Sequence, residues 1–298
     1  MTTTRFIAIV LRYSSPLLKK KKLGLKNNIS KVLKGNLGIS REAFIVLKNL
    51  ANREIPHQVK VGHDLKINLE KNEKMAEFTS IILGDGNITC SKGNYRLDIS
   101  LNNVDEVKYV EYVKNFMKST FNQDPLVKPL KELKRATENE KGVNLQLNKA
   151  SVVDALINIG LKPGDKTKNM VSVPNWHKET IPKKISSLKG LFDTDGGISV
   201  EKGDKSIKLT FTNASRPLVE DFKQMSNSLD IKTSSIHGPY AIKDPRTGNV
   251  SLINSISINS KDQVKKFLKI VKPMKWEIKY DEIGDKLMKL YPNTTYSR

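Results

Sequence analysis

Two aspartates carry the clearest chemical signal in this sequence. Asp85 and Asp195 each stand directly before a glycine at the end of an apolar run, and 110 residues separate them. A carboxylate is a hard oxygen donor of the kind that holds magnesium or calcium. A single Asp-Gly step is most simply a hairpin turn, so one copy alone means little. Here the surroundings repeat too. Residues 78–89 read FTSIILGDGNIT and residues 188–199 read LKGLFDTDGGIS. Apolar side chains take the first, fourth and fifth places of each copy, a small residue (Ser80 or Gly190) takes the third, and Asp-Gly, Ile and a hydroxyl follow. The rest of the chain offers little competing chemistry. Cys90 is the only cysteine, and His57, His63, His177 and His237 lack metal-ligand spacing, so the sequence offers neither an internal disulfide nor a zinc site.

The elements around the aspartates can be read from periodicity. The i, i+3, i+4 spacing before each Asp-Gly is one face of a helix, and the Asp-Gly ends it and turns the chain into a strand. After the first copy, Tyr95, Leu97, Ile99 and Leu101 alternate with Arg96, Asp98, Ser100 and Asn102. After the second, Ile207, Leu209 and Phe211 alternate with Lys208, Thr210 and Thr212. Such alternation predicts strands with one buried and one polar face. Helices are expected over 104–120 and 216–229. Further strands carry Val143, Leu145 and Leu147, and Ile256 and Ile258; last helices are expected over 150–159 and 261–271. Each half therefore reads αββαββα.

Charge points to the partner. Fifty-two Lys and Arg against 31 Asp and Glu leave +21, an excess that suits a polyanion. Lipid is the weaker candidate, because no apolar stretch approaches the ~20 residues that span a bilayer. The first acidic residue is Glu42, so the N-terminal stretch is purely basic and reads as an arm lying on DNA rather than a transit peptide.

The segments LKGLFDTDG (188–196) and FTSIILGDG (78–86) resemble, respectively, a full and a divergent LAGLIDADG motif, and the chain resembles the two-motif, monomeric LAGLIDADG homing endonucleases from about residue 72 to residue 290. It departs from the motif at Leu83, in place of the first Asp, and at Phe78, in place of the leading Leu. The resemblance implies an α+β fold of two pseudo-symmetric αββαββα halves forming a β-saddle over DNA, with an extra N-terminal segment. The expected divisions are a basic extension over 1–70, a first half over 71–182 and a second over 183–298.

In that family the motif helices pack side by side, which requires small residues such as Ser80 and Gly190 and brings Asp85 and Asp195 together. The resemblance then implies that Asp85 and Asp195 are catalytic metal ligands, with the carbonyls of Gly84 and Thr194 as further ligands. Mg2+ is the expected cofactor, with Mn2+ as a substitute. A basic residue beside each metal would polarise water or offset phosphate charge; Lys168 is the choice in the first half and Lys275, with Lys279 as an alternative, in the second.

DNA-reading candidates on the polar strand faces are Arg96, Asp98, Ser100, Asn144, Gln146, Lys208, Thr210, Thr212 and Ser255, since a two-stranded ribbon fits the major groove. Lys128, Lys131, Lys134 and Arg135 suit phosphates, and the hairpin tip at 241–250 would reach the outer end of the site. The implied activity is site-specific hydrolysis of double-stranded DNA at a long asymmetric target, leaving a short 3′ overhang. The implied protein is a monomer inside the cell with the DNA, in a prokaryotic nucleoid or an organelle matrix, and not at a membrane. Two rival readings remain: a maturase that binds intron RNA, and a DNA-binding regulator on the same fold. The regulator reading predicts loss of an active-site Asp, whereas both are present.

Overall fold

A computed structural model describes residues 67–275 apart from 92, 104–105, 130–141, 201–206, 244–247 and 249. The expectations for the N-terminal extension, for Lys131, Lys134 and Arg135, for most of the 244–249 tip and for Lys279 lie outside the described residues. Those residues that are described belong to one compact unit.

The first half opens with α1 (Glu73–Asp85). Asn72 caps it by accepting the Met75 amide, and Glu73 in the first turn complements the helix dipole. Gly86 ends it in extended conformation, its N–H still bonded to the Ile82 carbonyl. The chain runs straight on into β1 (Gly86–Ser91) and β2 (Asn94–Asn102), then α2 (Val107–Phe121), β3 (Leu126–Pro129), β4 (Gly142–Leu147) and α3 (Ala150–Asn158). A short 3-10 turn at Asn175–Lys178 leads to the second half. There α4 (Ile181–Asp195) is capped by Thr180 and has Pro182 in its first turn, where a missing N–H costs nothing. It is followed by β5 (Gly196–Val200), β6 (Ile207–Asn213), α5 (Arg216–Ser228), β7 (His237–Lys243), β8 (Val250–Ile258) and α6 (Lys261–Val271).

Each half builds one antiparallel four-stranded sheet, β1-β2-β4-β3 and β5-β6-β8-β7. The registers correspond: Gly86 faces Ile99 in the first sheet and Gly196 faces Phe211 in the second. The fold is thus α+β with two αββαββα halves. One face of each sheet is apolar and lies under the helices, with Leu97, Ile99, Leu145, Leu209, Phe211 and Ile256 all buried. Aromatic pairs fasten helix to helix and helix to sheet: Phe78 stacks on Phe116 at 5.0 Å and Phe211 on Phe222 at 4.5 Å between centroids. Between the halves, the principal packing is α1 against α4.

That packing is close because of specific small residues. A Cβ on Gly190 would stand 2.4 Å from the Glu77 carbonyl oxygen and 2.9 Å from the Ser80 Cβ. A Cβ on Gly84 would stand 2.0 Å from the Thr194 hydroxyl oxygen. Ser80 and Gly190 occupy equivalent places in the two copies, as do Gly84 and Thr194. Equivalent residues meeting each other is what a twofold-related contact requires.

Candidate active site

Because α1 and α4 run together and end at the same level, their last residues, Asp85 and Asp195, meet. The Asp195 Oδ2 lies 3.1 Å from where a Gly84 Cβ would be. Burial, and next the charge of Asp195, raise the Asp85 pKa from 3.8 to about 7. Burial raises that of Asp195 as well, opposed by a hydrogen bond from Asn213 Nδ2 to its Oδ2 at 2.8 Å. The pair is not fully symmetric. By sheet register, the first-half residue equivalent to Asn213 is Leu101, an apolar side chain that cannot donate to Asp85.

Two lysines stand at the ends of the same helices. Lys166 Nζ donates to the Leu83 carbonyl at 2.9 Å and to the Gly84 carbonyl. Lys275 Nζ donates to the carbonyls of Thr194 at 3.0 Å and Gly196 at 2.8 Å. Desolvation lowers the Lys166 pKa, against the pull of Asp195 and Asp85. Lys275 is where the sequence reading places it. Lys168 is not: its side chain is 86% exposed and its ammonium stands 3.9 Å from Asp165. The reason is local. The Asp165 carboxylate accepts the Thr167 and Lys168 amides at 2.9 and 3.1 Å, and this Asx turn directs Lys166 inward and Lys168 out. Gly84 and Thr194, expected as carbonyl ligands, each already accept a lysine proton, which leaves one carbonyl lone pair apiece.

Behind the aspartates lies a layer of buried polar contacts. Asp193 is 2% exposed, accepts the Lys275 amide at 2.8 Å, and is raised by burial to about 7. Glu77 on α1 pairs with Lys189 on α4 at 2.9 Å and accepts from Tyr112 at 2.6 Å, an ion pair that crosses the helix interface. His177, wholly buried, bridges the same helices: Nε2 lies 2.8 Å from Thr79 Oγ1 and Nδ1 2.6 Å from Ser187 Oγ. The Thr79 hydroxyl gives its only proton to the Met75 carbonyl at 2.7 Å. It must therefore accept from Nε2–H, and Ser187 must donate to Nδ1. Burial, then the charges of Lys178 and Lys183, lower the His177 pKa to about 3, so the bridge is neutral. Lys166, Asn213 and His177 were all missed by sequence reasoning. Asn213 did carry a signal, as a polar residue continuing the apolar parity of Leu209 and Phe211.

The polar faces of the sheets differ from each other. In the second half Lys208, Thr210, Thr212 and Ser255 are partly exposed, as expected of a reading surface. In the first half Arg96 and Ser100 are accessible, but Asp98, Asn144 and Gln146 are only 6%, 5% and 3% exposed. Asp98 accepts from Arg96 Nε at 2.5 Å, Asn144 Nδ2 at 3.1 Å and Gln146 Nε2 at 2.7 Å. Register explains this departure from the expectation: Asp98 faces Gln146 across β2 and β4, so the carboxylate gathers the neighbouring donors to itself. As placed, these three hold Arg96 in position rather than facing outward.

Residues 183–272 match the model of the LAGLIDADG-like domain. The match covers the second half of the chain, and the first half lies outside the matched span. No curated protein matches the chain. Among solved structures it is similar to the homing endonuclease I-DmoI in complex with DNA and Mn, at 17% identity, TM-score 0.44, and coverage of 68% of this chain and 97% of that one. It is also similar to the homing endonuclease I-WcaI bound to its DNA recognition sequence, at 14% identity, TM-score 0.41, and coverage of 72% and 90%. A third similar structure is full-length DUF199/WhiA from Thermatoga maritima, at 13% identity, TM-score 0.44, and coverage of 77% and 63%.

Proposed function

We propose that this chain is a divalent-metal-dependent, site-specific endonuclease of double-stranded DNA. The observation that carries the reading is the meeting of Asp85 and Asp195, one from each half, at a place where burial and mutual repulsion raise the Asp85 pKa to about 7. Two carboxylates held together in this way are costly unless cations or protons neutralise them. That donor set fits a hard divalent ion. Magnesium, or manganese in its place, would be held by Asp85 and Asp195, with the carbonyls of Gly84 and Thr194 as further oxygens, and when bound would stabilise charge on the attacking and leaving oxygens of a phosphodiester.

The chain's own groups do the rest. Lys166 and Lys275 hold ammonium groups at the two helix ends, where they offset charge on a phosphate. Gly84 and Gly190 let the helices approach closely enough for two aspartates to serve one site. Because one chain supplies both halves, the active form is a monomer, and because the halves differ, the target is asymmetric. Arg96, Ser100, Lys208, Thr210, Thr212 and Ser255 line faces that suit a major groove. Eight extended residues cover ~26 Å, or about eight base pairs per half. We take the product to carry a short 3′ overhang, the protein to act where DNA is, and the divisions near residues 70 and 182 to separate extension, first half and second half.

The test is incubation of the full chain with a pooled library of long duplexes, in magnesium and separately in calcium. Discrete ends that appear only with magnesium support the reading. Duplex retention without cutting in either metal replaces it with a regulator. Preference for intron RNA over every duplex replaces it with a maturase.

A further inference from the structure

The face of the second sheet that carries Thr210, Thr212 and Ser255 continues outward along β7 and β8, and its chemistry changes on the way. On β8 the same-face residues run Ser257, Ser255, Ile253, Ser251. Their partners are Thr210 and Thr212 on β6, then Tyr240 and Ile242 on β7. Tyr240 and Ile242 are each 50% exposed, and Ile253 between them is partly exposed. Tyr240 and Ile242 are two of the nine exposed large apolar side chains among the described residues and adjoin Ile253 on this face, while Val250 and Leu252 lie on the opposite face of the same hairpin. Threonine would satisfy an edge strand equally well without exposing aliphatic surface. The residues therefore match something that covers them.

What covers them follows from where they lie. The patch is the outward end of the surface that Lys208, Thr210, Thr212 and Ser255 begin, in a chain of net charge +21. In a major groove the apolar group presented by bases is the thymine C5-methyl, and aliphatic side chains are what contact it. The first half offers the contrary chemistry, an arginine held by a carboxylate and two amides. We propose that the outer part of the second half reads thymine through Ile242, Ile253 and Tyr240, by methyl contact rather than by hydrogen bonds. This rests on the DNA-cleaving reading above and gives its second half-site a composition. Ile253 lies three residues, and the Ile242 partner Ser251 five residues, beyond Ile256, the residue level with Gly196 through Phe211. At ~3.3 Å per residue and ~3.4 Å per base pair, the thymines fall about three to five base pairs outward from the scissile region.

The test begins by selecting duplexes that the full chain retains in calcium from a randomised pool. Within a selected duplex, each thymine in the outer second half-site is replaced by uracil, which removes the methyl and nothing else. The wild type should lose about fourfold in affinity per methyl, and Ile242→Ser should lose that discrimination at the one thymine Ile242 contacts while keeping it at the others. Ile242 is exposed, so that variant leaves the fold intact. Sequence-specific retention with no response to uracil overturns the proposal and leaves the endonuclease reading standing. Failure to retain any duplex overturns both. A dimer in sedimentation that Ile242→Ser dissolves assigns the patch to a second copy and overturns the methyl reading alone.

Discussion

Replacing Asp85 with asparagine should abolish cutting and at the same time stabilise the metal-free protein. Burial and the Asp195 charge raise the Asp85 pKa from 3.8 to about 7, so between those values the native state holds a proton that the unfolded state has lost. Stability from this group is then fully present below the unfolded value and falls as pH rises through that window. At ~1.36 kcal/mol per tenfold, the ionised carboxylate costs the native state roughly 4 kcal/mol at pH 8. Asp85 is only half-buried, and solvent screening reduces the expected gain to about 2 kcal/mol. For a domain of this size that is a rise in Tm of about 4–8 °C. The assay is thermal unfolding of wild type and Asp85→Asn in EDTA, at pH 8 and at pH 4. The gain should be present at pH 8 and nearly absent at pH 4, and magnesium should narrow it by binding the wild type. A variant that melts at or below wild type at pH 8, or gains equally at both pH values, refutes the reasoning.

Other consequences follow from named contacts. Gly190→Ala places a methyl 2.4 Å from the Glu77 carbonyl; thermal unfolding should show a loss of about 1–3 kcal/mol, with cleavage suffering more than DNA binding because the helix ends separate. Lys166→Met should slow cleavage by about 10²- to 10³-fold in single-turnover assays, while Lys168→Met stays within about twofold, as an exposed side chain away from the site should. His177→Phe leaves the buried Ser187 hydroxyl without its partner and Thr79 without its donor, and should cost about 1–3 kcal/mol in urea unfolding at pH 7. His177 has its folded pKa lowered to about 3 from 6.5, so its contribution is present above 6.5 and lost as pH falls toward 3. That acid limb should be missing from the variant.

The elements were legible because their periods are clean. Alternation from Tyr95 to Asn102 and the i, i+3, i+4 spacing before each Asp-Gly place that strand and the ends of the motif helices within a residue or two of where they lie, although the helices begin five and seven residues before the repeated segments. The constant interval between the two copies made the repeat, and with it the paired halves, visible without a structure. What a one-dimensional pattern does not encode is which member of a crowded loop turns inward. Lys162, Lys166 and Lys168 are chemically alike, and only the Asp165 turn selects Lys166. Cross-strand neighbours were hidden for a similar reason. Asp98, Asn144 and Gln146 have the parity of an outward face, but register sets them side by side, where satisfying one another outweighs solvation. His177 lies in a linker with no period at all, and its role depends on two helices that meet only once folded.

The central claim, one site built from one aspartate of each half, is tested most directly by strand-resolved cleavage. A duplex retained by the wild type would be given to wild type, Asp85→Asn and Asp195→Asn in magnesium, with binding measured in parallel in calcium. The account predicts that each variant binds within a few fold of wild type and that neither makes a double-strand break. A double-strand break by either variant at the wild-type rate contradicts it.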